Sequence, residues 1–138
     1  MKRWLGIAIM SLGLATAALA EDTTPPEEFQ PLITQQLGAL QNGDADTAYG
    51  FADAGIKRQF GSPDRFYRMV QQGYRPLIDF TVMRFEEARD GGDAWIQPIW
   101  LRDREGDEYM AYYAMRLNSE DQWRIAGVQL TPYQSQAF

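Results

Sequence analysis

The sequence predicts an α+β fold: three N-terminal helices packed on one face of a four-stranded antiparallel meander. Three observations predict it. Apolar residues recur at helical spacing in the first half of the chain and at alternate positions from Ile78 onward. Cap-and-proline signals such as Ser62-Pro63-Asp64 open the helical segments. Three short polar connections, each short enough for a hairpin, divide the second half. Helices followed by consecutive strands segregate as two layers.

The first helix starts from Thr24-Pro25-Pro26-Glu27, where Thr24 and Glu27 have capping-box spacing and proline is tolerated in the first turn. Phe29, Leu32, Ile33, Leu37 and Leu40 form its apolar face, and Asn42-Gly43 ends it. Asp44 caps a second, shorter helix with Ala45, Ala48, Tyr49 and Ala52 on one side, stopped at Ala54-Gly55. Residues 56–61 read as a connector whose Ile56 and Phe60 plug the core. Ser62 caps the third helix, which buries Phe66, Met69 and Val70 and ends at Gly73. Tyr74-Arg75-Pro76 then turns the chain out of helical structure.

Strands are expected at about 78–89, 94–103, 108–117 and 122–131, separated by Asp90-Gly91-Gly92-Asp93, Arg104-Glu105-Gly106-Asp107 and Asn118-Ser119-Glu120-Asp121. Pro98 argues for an edge or a bulge in the second strand. Regular pairing of the last two strands puts Tyr109, Ala111, Tyr113, Met115 and Leu117 on one face with Ala126, Val128 and Leu130, the better core. The opposite face then shows Met110, Tyr112, Ala114 and Arg116 with Trp123 and Ile125. That face is too apolar for plain solvation and reads as a partner surface.

The 138-residue length allows one domain. Its first twenty residues have the layout of a secretory signal peptide: basic Met1-Lys2-Arg3, an apolar run from Trp4 to Ala15, and Ala18-Leu19-Ala20 as the cleavage site. The run is short of a membrane span, so the expectation is cleavage after Ala20 and a periplasmic or secreted product. Residues 21–28 are then a flexible start, 29–132 the domain and 133–138 a tail. Loss of residues 1–20 removes Lys2 and Arg3 and no acid, taking the formal charge from −6 to −8. Such a charge repels phosphate backbones and anionic lipid, so neither nucleic acid nor a membrane surface is an expected partner. With no cysteine, packing alone holds the fold and thiol chemistry is excluded. With no histidine, the commonest general base, transition-metal ligand and triad partner is missing.

Few residues remain that could carry chemistry. The cluster Asp103 to Glu108 fails calcium-loop spacing, because glycine falls fourth from Asp103 and the twelfth residue is Ala114. It reads as a solvated hairpin, and no metal or cofactor is expected. Glu86 and Glu87 are adjacent on a strand and point to opposite faces, so they form no dyad. Asp53 lies near a helix end, where an acid is unfavourable. Tyr74 and Arg75 sit at the handover from helix to strand, with Asp79 close in sequence and Tyr49 and Tyr113 within reach of an interior cavity. A shielded Asp79 as base, with the Tyr74 phenol steadying an enolate, could run a proton transfer. In the simpler reading Arg75 pairs with Asp79 at the rim and the tyrosines are half-buried packing. Trp95, Trp100 and Trp123 could stack on a ligand, though core or interface packing is the favoured account of them.

Short helices and a long antiparallel meander closing on Trp123-Arg124-Ile125-Ala126-Gly127 resemble the nuclear transport factor 2-like superfamily, whose sheet curls around a helix to form a cone. More narrowly, Gln59-Phe60-Gly61-Ser62-Pro63 with Phe66, then Gly73-Tyr74, then Trp123 to Gly127, are similar to the bacterial family called domain of unknown function 4864. The resemblance covers about residues 30–130. It implies a pocket between the helices and the concave sheet, and often a dimer through the outer face. Superfamily members include isomerases, dehydratases, epoxide hydrolases, ligand binders and interaction modules, so the fold selects no reaction. The dehydratases' His–Asp pair cannot exist here, and no family catalytic position maps onto this chain.

The leading expectation is therefore a non-catalytic module that binds a small molecule through Tyr49, Tyr74, Arg75 and Tyr113, or binds a protein. One alternative is a cofactor-independent lyase- or isomerase-like enzyme using Tyr74 and Asp79. The other is a homodimeric interaction protein joined through Tyr112, Trp123 and Ile125.

Overall fold

The computed structural model describes residues 24–134. The expected leader, its expected cleavage after Ala20 and the last four residues lie outside them. Among the described residues no helix is long and apolar enough to cross a membrane.

The architecture is α+β, with N-terminal helices packed on an antiparallel sheet. The helices are α1 Phe29–Gln41, α2 Ala45–Gly50, α3 Ala54–Phe60, α4 Pro63–Gly73 and α5 Pro76–Asp79. The strands are β1 Phe80–Phe85, β2 Arg89–Asp90, β3 Trp95–Asp103, β4 Glu108–Leu117 and β5 Trp123–Tyr133. Their order is β1-β3-β4-β5, with β2 pairing β3 beyond the end of β1.

Helix α1 buries Phe29, Leu32, Ile33, Leu37 and Leu40 as its periodicity requires. The Thr24–Glu27 capping box does not open it. Glu28 occupies the cap position without a side-chain bond, because consecutive prolines hold the preceding residues away from helical geometry. Asp44 caps α2 by accepting from the Thr47 N–H at 3.2 Å, which lowers its carboxyl below the ordinary range. Ser62 caps α4, accepting from the Arg65 N–H at 3.3 Å.

Two helices lie where the sequence suggested none. The expected connector at 56–61 belongs to α3. Its cap is Asp53, whose Oδ1 accepts from the Ile56 N–H at 3.0 Å. The acid that looked misplaced at a helix end thus stands at a helix start, where its charge is favourable. Gly61 closes α3 at φ +79°, a left-handed position suited to glycine. The turn at Tyr74-Arg75-Pro76 also opens a helix, the single turn α5, with Pro76 in the first helical position.

The expected first strand at 78–89 is split by Pro98. Strand β3 is interior here, flanked by β1 and β4, and Pro98 has no N–H to give. The Glu86 N–H still donates to the Pro98 carbonyl at 3.0 Å. The return bond comes from a side chain: Gln97 Nε2 donates to the Glu86 carbonyl at 2.7 Å. Regular pairing stops there and resumes in β2.

A β-bulge in β5 corrects the face assignment. The register runs Ala111↔Leu130, Tyr113↔Val128 and Ala114↔Gly127, then shifts to Met115↔Ile125 and Leu117↔Trp123, leaving Ala126 as the extra residue. Past the bulge the alternation is reset, so Ile125 and Trp123 turn inward with Met115 instead of outward. Ile125 is 1% exposed. Trp123 meets the Phe29 ring edge-on at 4.9 Å between centroids. The face expected for these two residues is thus corrected: both stand on the inner side, away from Tyr112 on the outer one. The Ile125 backbone joins the helical layer, its N–H donating to the Phe51 carbonyl and its carbonyl accepting from the Asp53 N–H, both at 2.9 Å.

The outer face is less open than its composition suggested. Trp100 is 8% exposed because two arginines cover it. The Arg84 guanidinium lies 4.6 Å and that of Arg102 5.6 Å from its ring centroid. Its indole N–H donates to Glu108 Oε1 at 2.8 Å. Tyr112 is half-buried on this face.

Candidate functional site

Between the helices and the inner face of β5 lies a cavity of about 400 Å³. Its deep walls are the buried side chains of Leu40 from α1, Phe66 and Val70 from α4, Leu77 from α5, and Ile125 with Ala52. Its mouth is bounded by Ile56, Gln59 and Phe60 of α3, by Met69 and Tyr74, and by Ala126, Gly127 and Val128 of β5. These elements meet there through the backbone of β5. The bulge at Ala126 turns β5 toward the helices, and the Ile125–Phe51 and Ile125–Asp53 bonds pin α3 beside it.

No Asp, Glu, Lys, Arg or His lines this cavity. Its polar side chains are Gln36, Gln59 and Tyr74. Gln59 is exposed and Tyr74 half-buried, so both belong to the mouth. Gln36 is 3% exposed and sits at the inner end. Its Oε1 accepts a 3.0 Å hydrogen bond from the Tyr113 hydroxyl across the core. Tyr113 is fully buried, and that burial pushes its phenol far above the ordinary tyrosine value.

The residues singled out from sequence scatter. Tyr74 lines the cavity. Tyr113 stands behind Gln36 and does not reach it. The Tyr49 hydroxyl points away, donating to the Lys57 carbonyl at 2.7 Å near the end of α3. Arg75 and Asp79 pair with each other at 2.9 Å, with side chains 56% and 45% exposed. Asp79 is therefore not a shielded base, and the geometry for proton transfer between Tyr74 and Asp79 is not assembled. None of Trp95, Trp100 and Trp123 lines the cavity.

The residue missed from sequence is Gln36. It falls three after Ile33 and four before Leu40, inside the apolar stripe of α1. A polar residue in a core stripe is the signal that could have found it. A second depression, walled by Pro25, Pro26, Glu27, Glu86, Glu87 and Gln97, is lined mostly by exposed residues. At the β3–β4 hairpin tip, carboxylate oxygens of Asp103, Glu105 and Asp107 lie within 4.8 Å of one another. Asp103 Oδ1 is engaged there by the backbone N–H groups of Glu105 and Asp107, at 3.0 and 2.9 Å, which describes a tight turn. Partial burial, with the negative field of this tip, raises the Tyr109 phenol.

In comparison with known proteins, the family profile described as "Domain of unknown function (DUF4864)" matches residues 22–138. No curated protein and no solved structure matches the chain significantly.

Proposed function

The chain belongs to the DUF4864 family, and on that premise, which prescribes no reaction, we propose that it is a binding module for an uncharged, mainly apolar small molecule. The observation that carries this reading is the cavity wall, apolar in its depth and without any charged side chain. Ligand sites are concave, largely apolar and oriented by a few polar groups, and this cavity has that composition. Acid–base catalysis needs a group that can exchange protons near the working pH, and among the lining residues only the Tyr74 phenol is ionisable. Helices closing over the inner face of a bulged sheet also support placing the fold among the nuclear transport factor 2-like cones. Export through the N-terminal leader, as part of the same proposal, makes the ligand one met outside the cytoplasm.

The test is fluorescence titration with N-phenyl-1-naphthylamine, a neutral probe that brightens in apolar sites. Saturable brightening is expected, lost in Val128→Trp, which fills the mouth while circular dichroism stays native. Ile56→Trp fills the same mouth from the helical side should Val128→Trp fail to fold. Equal brightening in the wild type and in a folded, filled variant refutes the reading.

A further inference from the structure

The polar group at the inner end of the cavity says more about the ligand than the walls do. Gln36 is almost wholly buried, and its Oε1 is occupied by the Tyr113 hydroxyl. Among the described residues nothing accepts from its Nε2. Nor is any buried side-chain nitrogen or oxygen sealed away without a partner. The Nε2 therefore meets open space, and the space that Gln36 lines is the cavity.

The amide cannot be turned over without loss. Tyr113 has one hydroxyl hydrogen, in a site with no exposure, and Gln36 Oε1 at 3.0 Å is its acceptor. Reversing the amide would place Nε2 against that hydroxyl and leave the hydrogen buried and unpaired, which core polar groups avoid. Tyr113 thus acts as a positioning residue: it fixes the polarity of the cavity floor as a donor. A charged acceptor is disfavoured, because no cation lines the walls to offset its desolvation.

We infer that the ligand carries an uncharged carbonyl-type acceptor, as in a ketone, ester or amide, on the end that enters first, and that this oxygen accepts from Gln36 Nε2. The inference rests on the proposed binding role and deepens it. A donor-only head, such as an ammonium group, offers Nε2 no acceptor.

Two probes of one shape test it: 2-acetylnaphthalene and 2-isopropenylnaphthalene, which differ by a carbonyl oxygen against a methylene group. Each is titrated by displacement of N-phenyl-1-naphthylamine from wild type and from Gln36→Met/Tyr113→Phe, which removes the amide and hydroxyl together and leaves neither unpaired. The ratio of ketone to alkene affinity is expected to fall about fivefold in the double variant, the worth of one neutral hydrogen bond. An unchanged ratio, with both probes still binding, overturns the role of Gln36 and leaves the binding role standing. Failure of the wild type to bind all three probes overturns both. Wild-type ¹⁵N spectroscopy gives a readout independent of the variant's folding. The Gln36 side-chain amide signal should shift with the ketone and not with the alkene, and equal shifts overturn the inference.

Discussion

Replacing Tyr113 by phenylalanine removes one hydroxyl from a site with no solvent exposure, and its effect on stability should change with pH. At pH 8 the variant loses the 3.0 Å bond to Gln36 Oε1. A buried acceptor left without its donor costs about 1–3 kcal/mol. Turning the amide over would only exchange a buried unpaired oxygen for a buried unpaired nitrogen, so the cost stands, at about 1–2 kcal/mol. Alkaline conditions reverse the comparison. The folded wild type holds the phenol protonated far above its usual value near 10, because burial penalises the anion. The unfolded chain releases that proton above about pH 10. Above that pH the unfolded state binds one proton fewer than the folded state, so this group makes stability fall as pH rises, by about 1.4 kcal/mol per pH unit. Phenylalanine has no such proton. The deficit of Tyr113→Phe should therefore hold steady up to about pH 10 and close near pH 11. Urea unfolding followed by circular dichroism from pH 8 to 11.5, with the two proteins subtracted at each pH, isolates this one group. A difference that stays flat across pH 10–11.5 would show that the phenol titrates freely, and would refute the sealed geometry behind Gln36.

Two further outcomes follow from side chains that changed place. Trp123→Ala should cost about 3 kcal/mol in urea unfolding, because it empties a ring-packed position against Phe29. Its sedimentation coefficient should match the wild type's at equal concentration, and altered association at unchanged stability would contradict the inward placement. Asp79→Asn should change stability by less than about 1 kcal/mol, since the Arg75 pair is exposed. Its affinity for N-phenyl-1-naphthylamine should equal the wild type's, and a large loss would place Asp79 nearer the cavity than its geometry allows.

The layers of this fold were legible because they rest on local signals. The stripe of α1, the Ser62-Pro63 start of α4 and the three hairpin turns each specify an element without reference to the rest of the chain. What escaped depends on partners distant in sequence. Ala126 is unremarkable in itself. It becomes a bulge because Ile125 bonds to Phe51 and Asp53, more than seventy residues earlier, and strict alternation then assigned the wrong face to everything before it. Asp53 was readable as a cap only if α3 was already known to follow. The break in β1 arises from a proline on the neighbouring strand. The candidate site was less legible still. Tyr74 was identified by its position at a boundary, but Arg75 and Asp79 satisfy each other outside, and Gln36 was passed over because a mostly apolar stripe draws attention to its apolar members.

The outer face of the sheet has a bearing on how copies of this molecule meet. Register places Arg84, Arg102, Arg116 and Arg124 on that face, with Arg89 beside Ile96 on the same side, outnumbering Glu108 opposite Arg102 and Glu86, which pairs with Arg84 at 2.8 Å. Acids predominate in the turns around it: Asp90 and Asp93, then Asp103, Glu105 and Asp107 with Arg104 among them, and Glu120 with Asp121. An acidic chain with a formal charge of −6 thus carries a cationic centre inside an anionic rim. Two molecules brought squarely back to back, Tyr112 over Tyr112, would set guanidinium against guanidinium and rim against rim. Sliding one by half a sheet width sets each centre over the other's rim, and repulsion becomes attraction. The charge pattern therefore disfavours a centred stack and favours a staggered one, a preference that fades as ionic strength shortens the reach of the field to about 10 Å and below.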